Sequence, residues 1–160
     1  MDFSLELNIE DVNSAKAIGK VNSLSATFGV DLNRVYNLHG ELSLFFAGVD
    51  KNKSTFTNVP IRNGGMFGVG TTIALINGMS LSFSGGFFVA KEDRTIENFE
   101  TGLYVSGRFK YLLFKPNEKI PLFYSISVPV TACFSSFGYH IRTGIALGLD
   151  VSEYGRRTNG

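Results

Sequence analysis

The feature that most constrains this chain is a two-residue alternation of large apolar side chains with small or polar ones. Successive side chains of a β-strand point to opposite faces of a sheet, so each alternating segment is predicted to be a strand with one apolar face. The pattern recurs about eight times with little helix between, which predicts one antiparallel sheet closed into a barrel. Residues 79–91 are an example, with Met79, Leu81, Phe83, Phe87 and Val89 on one face and Ser80, Ser82 and Ser84 on the other.

Composition narrows the class of protein. The 160 residues suit a single domain, 1–160, and a net charge of +1 gives no electrostatic basis for binding nucleic acid. Cys133 is the lone cysteine, which excludes an intramolecular disulfide and a cysteine-based metal cluster. The two histidines, His39 and His140, lie too far apart in sequence to form a recognisable ligand set. We therefore predict no metal and no cofactor.

Eight strands are predicted from the apolar rows. Helix is conceivable only near 11–17, and we interpret that segment as a loop of at most one turn. Pro129 falls inside the seventh strand, where it predicts a bulge or a missing ladder hydrogen bond because proline has no N–H to donate. The predicted strands are about 2–10, 21–32, 36–49, 65–76, 79–91, 98–114, 121–134 and 139–151, followed by a tail at 152–160.

The connections between these strands predict two unlike rims. Short connections, among them the favoured hairpin pair Asn77-Gly78, gather at one end of the barrel, which we call the turn rim. Most of the loop mass gathers at the other end, the loop rim. The turn rim carries 33–35, 77–78 and 116–119, and the loop rim carries 11–20, 50–64 and 91–97 together with the short 135–138.

Two barrel architectures share this alternation, and the row that is not apolar distinguishes them. A soluble barrel has its apolar row inside and a charged row in water, whereas a membrane barrel has the apolar row against lipid and small or polar residues in the lumen. Here the second row is mostly Ser, Thr, Gly, Ala and Asn, and the apolar rows carry essentially no charge. Their lengths are close to the roughly 9–11 residues of a tilted transmembrane strand. The sequence therefore favours the membrane architecture.

Aromatic residues in the apolar rows cluster toward the strand ends. Two aromatic girdles that flank an aliphatic band are typical of outer-membrane barrels, and tyrosine suits such a position because its hydroxyl can reach headgroups and water. The predicted girdle at the turn rim is Tyr36, Tyr111, Tyr124 and Tyr154, and the one at the loop rim is Phe46, Phe67, Phe87, Phe99, Phe134 and Tyr139.

The sparse charges of the second row predict a polar network inside the barrel. Buried charges are tolerated when they are paired, and an eight-stranded barrel has room in its lumen for little besides side chains. We therefore favour a lumen plugged by these groups over a narrow polar channel lined by them. The predicted network comprises Glu6, Asp31, His39, Glu41, Glu100, Arg108, Lys110, Arg142 and Asp150.

With these rows laid out, the chain resembles the small eight-stranded outer-membrane β-barrels of Gram-negative bacteria over residues 2–151. The resemblance is one of architecture, and it implies periplasmic short turns and termini with the longer loops outside the cell. The last strand is similar to the assembly signal of that class, from Arg142 to Leu149. The chain departs from the class after Tyr154, where a six-residue polar tail stands in place of a terminal aromatic residue.

Some barrels of this class are lipid-modifying enzymes, whose chemistry needs a serine beside a histidine that a carboxylate orients. His39 lies near the turn rim, the wrong end for a lipid of the outer leaflet. His140 has Ser135 and Ser136 nearby in sequence, but no orienting acid is evident. We therefore predict a protein without enzymatic activity.

The function predicted from the sequence is that of an integral protein of the bacterial outer membrane. It would have a structural or adhesive role and contact an extracellular ligand or protein through residues 50–64 and 91–97, because polar loops carried on a rigid scaffold suit surface contact. The first alternative is a soluble barrel that binds an apolar ligand in its interior. The second is a narrow pore.

Overall fold

A computed structural model describes residues 2–14, 18–33, 35–48, 63–75, 78–91, 99–114, 122–136 and 138–151. All eight predicted strands are present. Among these residues, no helix is long and apolar enough to cross a membrane. The strands are β1 (Asp2–Ser14), β2 (Ile18–Asp31), β3 (Tyr36–Gly48), β4 (Asn63–Ala74), β5 (Met79–Lys91), β6 (Phe99–Phe114), β7 (Leu122–Ser135) and β8 (Gly138–Val151).

The strands form one closed antiparallel barrel in which each strand pairs with its neighbours in sequence. The barrel closes where β1 pairs with β8, with Leu7 opposite Leu147 and Ser4 opposite Asp150. The predicted fold class is therefore confirmed. Because every strand has a partner on both sides, the barrel has no free strand edge.

The predicted end of β1 and the predicted loop 11–20 were wrong. Strand β1 continues to Ser14 and β2 begins at Ile18, with Asp11 opposite Lys20 and Asn13 opposite Ile18. The apolar row ends at Ile9, and the sequence-based boundary was drawn there. Backbone pairing needs no apolar side chain, so the hairpin extends past the apolar row with Asp11 and Lys20 exposed.

Smaller corrections apply to other strand ends. Strand β4 covers Asn63–Ala74 rather than 65–76, so the connection to β5 is 75–78 rather than 77–78. Leu75 N donates a backbone hydrogen bond to Met79 O beside this turn. Gly78 ends that turn with a φ of 76°, a left-handed conformation that glycine adopts without strain. At the loop rim, β7 ends at Ser135 and β8 begins at Gly138, so the 135–138 connection is shorter than predicted.

Pro129 is accommodated by unpaired positions between β7 and β8. Ser127 pairs with Ala146 and Val130 pairs with Thr143 in the same register, while Val128 and Pro129 have no ladder partner on β8. The register shift between β6 and β7 lies elsewhere, between Leu112 and Phe114. Of the two predicted outcomes for this proline, the missing ladder bond is therefore the one found.

Candidate functional site: the outer belt and the filled lumen

The outward-facing row of the barrel is apolar and exposed. Leu7, Ile145 and Leu147 are 56%, 57% and 62% exposed, and exposed large apolar side chains far outnumber buried ones among the described residues. The outward-facing charges in the described part of the chain are Asp11, Lys20 and Lys91, all toward the loop rim. A contiguous apolar surface of this extent marks contact with a membrane or a partner, and we call it the outer belt.

The aromatic residues predicted as girdles lie in the outer belt. Tyr36, Tyr111 and Tyr124 are exposed on the turn-rim side, and Tyr154 lies outside the described residues. Toward the loop rim, Phe67, Phe87, Leu103, Phe134 and Tyr139 are successive cross-strand partners on five strands. The rings of Phe67 and Phe87 stack with 5.7 Å between centroids. Phe46 and Phe99 are also exposed, in a second row with Asn63 and Lys91 between them.

Five of the predicted network residues form one chain of ion pairs in the lumen, which we call the ionic layer. Arg108 contacts Glu41 at 3.0 Å and Glu6 at 3.3 Å, and Lys110 contacts Glu6 and Asp150 at 2.6 Å each. All five side chains are buried. Acids and bases therefore alternate along the chain, and both of its ends are acids.

Hydroxyl groups satisfy the remaining oxygens of these acids. Ser84 and Tyr104 donate hydrogen bonds to Glu41, Ser125 donates to Asp150, and Ser127 donates to Glu6. Hydrogen bonds to ionised groups are stronger than those between neutral groups. The small hydroxyl residues of the inward row thus hold the charges as well as fill space.

The other four predicted network residues lie outside this chain of ion pairs. Asp31 accepts a hydrogen bond from Asn37, His39 contacts the Thr72 hydroxyl at 3.2 Å, and Glu100 accepts one from Ser135. Arg142 is a separate centre with different partners.

Arg142 is 1% exposed and packs against both charged and apolar groups. Its guanidinium lies 3.7 Å from a Glu10 oxygen, 4.8 Å from the centre of the Phe45 ring and 2.8 Å from the Met66 sulfur. Glu10 was absent from the predicted network. It belongs to the same inward row as Glu6, so the alternation was sufficient to include it.

A second, apolar cluster fills the lumen on the loop-rim side, and it was not predicted from the sequence. We call this cluster the apolar layer; its members are Val21, Phe45, Met66, Phe88, Ala90, Tyr104 and Cys133. His140 packs edge-on against Phe88, with 5.9 Å between ring centres. These residues belong to the row that was described as small or polar.

Glycines on neighbouring strands make room for the rings of the apolar layer. Phe45 lies opposite Gly64 and Phe88 opposite Gly102, and a β-carbon on Gly68 would lie 2.5 Å from the Tyr104 hydroxyl. A β-carbon on Gly102 would lie 2.5 Å from the Phe88 ring. A pair consisting of one ring and one glycine therefore fills the narrow lumen without overlap.

A cavity of about 120 Å³ occupies the turn-rim end of the lumen. Its lining includes Arg108 and Lys110 of the ionic layer and the apolar residues Phe3, Met79 and Leu112. Because polar side chains such as Asn37 and Arg108 line part of it, a space of this size can hold water. Among the described residues, no group of three or more His, Cys, Asp or Glu side chains is placed to hold a metal ion.

The closed eight-stranded barrel with an apolar outer belt is the fold of the small eight-stranded outer-membrane β-barrels. No family model and no curated protein matches this chain. Similar solved structures include Ail, the attachment invasion locus protein of Yersinia pestis, with a TM-score of 0.62, 12% identity, and coverage of 93% of this chain and 97% of Ail. A second Ail structure, in complex with the heparin analogue sucrose octasulfate, has a TM-score of 0.59, 11% identity and the same coverage.

Neisserial surface protein A (NspA) is also similar, with a TM-score of 0.58 and 10% identity over 94% of this chain and 95% of NspA. Because the sequence identities are only 10–12%, these comparisons establish the fold alone. They confirm the resemblance that the sequence predicted.

Proposed function

We propose that this protein is an integral β-barrel of a bacterial outer membrane with a structural or adhesive role at the cell surface. Its short turns and termini face the periplasm, and segments 50–62 and 92–97, which lie outside the described residues, contact an extracellular ligand or protein. The proposal includes no enzymatic step. The lumen is closed, so the barrel is a scaffold and not a channel.

The exposed apolar belt is the observation that carries this proposal. The soluble alternative requires the apolar row inside the barrel, whereas Leu7 and Leu147 point outward and Glu6 and Arg108 point inward. Among the residues that the structure describes, the outward row lacks charge from the turn rim up to Asp11, Lys20 and Lys91. An uncharged apolar outer surface of this kind is suited to contact with lipid.

The test of membrane insertion uses heat-modifiable gel mobility after refolding into lipid vesicles. We expect Leu147→Arg to lower the free energy of unfolding, measured by urea titration of the refolded protein, because a cation that faces the hydrocarbon core costs up to about 2–4 kcal/mol. Lys20→Arg at the loop rim is the control, and it should have no effect. A monodisperse β-rich monomer in plain buffer that tolerates Leu147→Arg would instead favour the soluble barrel.

The closed lumen is tested by single-channel recording in planar bilayers. The ionic layer and the apolar layer are two seals in series, so neither the parent protein nor Arg108→Ala should give conductance steps. The triple variant Arg108→Ala, Phe45→Ala, Phe88→Ala opens both layers and is expected to conduct. Steady conductance of the parent protein would favour the narrow pore.

The surface role is tested with a polyanionic sugar, because sucrose octasulfate is the ligand named for one Ail structure. Segment 50–64 carries the bases Lys51, Lys53 and Arg62 and the acid Asp50. We expect replacement of residues 51–62 by glycine and serine to weaken the binding of sucrose octasulfate. The control replaces 92–97, which is richer in acids than in bases, and should leave binding unchanged. Absence of binding by the parent protein would contradict this form of the proposal.

A further inference from the structure

The pairing of β1 with β8 differs from the other seven strand pairings because it joins the two ends of the chain. Each other pairing is between consecutive strands, so the intervening connection limits its register. The β1–β8 register, with Ser4 opposite Asp150 and Glu6 opposite Gly148, has no such constraint. Closing this seam also has the largest loop-closure entropy cost, since almost the whole chain lies between the two strands.

Ion pairs are concentrated at this seam. Five ion pairs have both partners among the described residues, and four of them have at least one partner on β1 or β8. Lys110 reaches across the lumen from β6 to contact Glu6 on β1 and Asp150 on β8. It also donates a hydrogen bond of 2.8 Å to Ser4, the register partner of Asp150. One ammonium group therefore contacts both strands of the seam.

Side-chain contacts between consecutive strands are mostly uncharged. Ser25 donates to Ser43 between β2 and β3, Thr72 and Ser82 share a hydrogen bond between β4 and β5, and Ser106 and Thr131 share one between β6 and β7. Neutral hydrogen bonds of this kind contribute little to the choice between registers, because serine and threonine recur along these rows. Four of the five ion pairs, by contrast, include a residue of β1 or β8, the two strands whose pairing no turn aligns.

We propose that the ion pairs of Lys110 select the register in which the barrel closes. A slip of one residue would turn the charges of one seam strand outward into the lipid-facing belt. A slip of two residues keeps each side chain on its face but moves β8 about 7 Å along β1. Lys110 then cannot contact Glu6 and Asp150 together, so one buried acid loses its partner. This proposal concerns closure and does not depend on what the loops bind.

Disulfide formation across the seam reports the register directly. Cys133 is first replaced by alanine, and cysteine pairs are placed at outward-facing positions. Leu7 with Leu147 reports the native register, while Leu7 with Ile145 and Leu7 with Leu149 report slips of two residues in either direction. Cysteines one pair out of register would have α-carbons about 7–8 Å apart, which is beyond normal disulfide geometry. Each protein is refolded into micelles and oxidised, and the closed fraction is read from heat-modifiable mobility.

The test compares Lys110→Met with Ser106→Ala, a control on the same strand that removes a neutral hydrogen bond. With Lys110 present, we expect the native disulfide to exceed the offset ones by at least about tenfold, as the cost of an unpaired buried acid implies. Lys110→Met should raise the offset disulfides or lower the closed fraction by a similar factor. Ser106→Ala should do neither.

The triple variant Glu6→Gln, Lys110→Met, Asp150→Asn removes the charges of both acids together with that of the lysine. It therefore distinguishes register selection by the ion pairs from the destabilisation caused by a buried acid without a partner. Replacing a buried ion pair by neutral groups is often neutral for stability, so a general loss of folding is not expected. Mixed registers, or failure to close while Ser106→Ala closes normally, would support the proposal. A single native disulfide at the parent's yield, in this variant or in Lys110→Met, would overturn it.

Discussion

The two layers that fill the lumen occupy the same inward row but depend on different physical properties. The ionic layer consists of charges, each of which needs a specific partner on a distant strand, such as Arg108 on β6 with Glu41 on β3. The apolar layer consists of rings such as Phe45 and Phe88, which need space of the right size, and the glycines opposite them provide it. The first layer should therefore be sensitive to charge and the second to volume.

Loss of one charge from the ionic layer should have the largest effect. Arg108→Leu leaves Glu6 and Glu41 without the guanidinium that contacts both. Because removing one partner of a buried ion pair costs about 3–5 kcal/mol, we expect a loss of this size in the free energy of unfolding, measured by urea titration in micelles. The variant Glu6→Gln, Arg108→Leu, Glu41→Gln should recover much of the loss. Unchanged stability of Arg108→Leu would contradict a paired network.

The apolar layer should respond next most strongly, and two adjacent phenylalanines provide the comparison. Phe45 is 2% exposed and lies under Arg142, whereas Phe46 is 55% exposed in the outer belt. We expect Phe45→Leu to cost about 2 kcal/mol, the contribution of a desolvated cation–π contact. Phe46→Leu should cost much less because leucine also suits lipid. Equal losses from the two variants in the same unfolding assay would mean that the inward ring has no special role.

Phe45 and Phe46 also show which structural features could be predicted from the sequence and which could not. Two-residue alternation determines which face each side chain occupies, so the eight strands, the barrel and the outward apolar row could be predicted. The alternation also placed Phe45 and Phe88 inward, but it carried no information on what lies opposite them. That depends on the register, which the long connection between β3 and β4 limits only loosely for Phe45 and Gly64.

The residues of the ionic layer could be predicted from the sequence, but the contacts between them could not. Glu6, Glu41, Arg108, Lys110 and Asp150 were recognisable as inward charges by their parity. Their contacts run between β6 and β1, β3 or β8, which are not sequence neighbours, and depend on how the strands are staggered around the barrel. Asp31 and Glu100 were assigned to the same network by the same reasoning, yet they contact Asn37 and Ser135 instead.

A smaller effect is expected from adding a single carbon opposite a ring. A β-carbon on Gly102 would lie 2.1 Å from the Phe134 carbonyl oxygen and 2.5 Å from the Phe88 ring, whereas one on Gly107 would meet nothing closer than 3.9 Å. We expect Gly102→Ala to destabilise the barrel by about 1–3 kcal/mol through overpacking. Gly107→Ala, on the same strand but facing outward, should be neutral or stabilising by up to ~1 kcal/mol. Thermal unfolding in micelles measures the stability of both variants. Equal effects would mean that a glycine is not required opposite the Phe88 ring.

The smallest expected effect lies where the two layers meet. Tyr104 belongs to the apolar layer by its ring, but its hydroxyl donates a hydrogen bond of 3.5 Å to Glu41 in the ionic layer. Tyr104→Phe keeps the ring and removes the hydroxyl with this weak contact, so the loss should be about 0.5–1 kcal/mol. If the layers are coupled through this hydroxyl, Tyr104→Phe should have less effect in a Glu41→Gln background than in the parent. A double-mutant cycle in the urea assay measures the difference. Strict additivity would mean that the ionic and apolar layers stabilise the barrel independently.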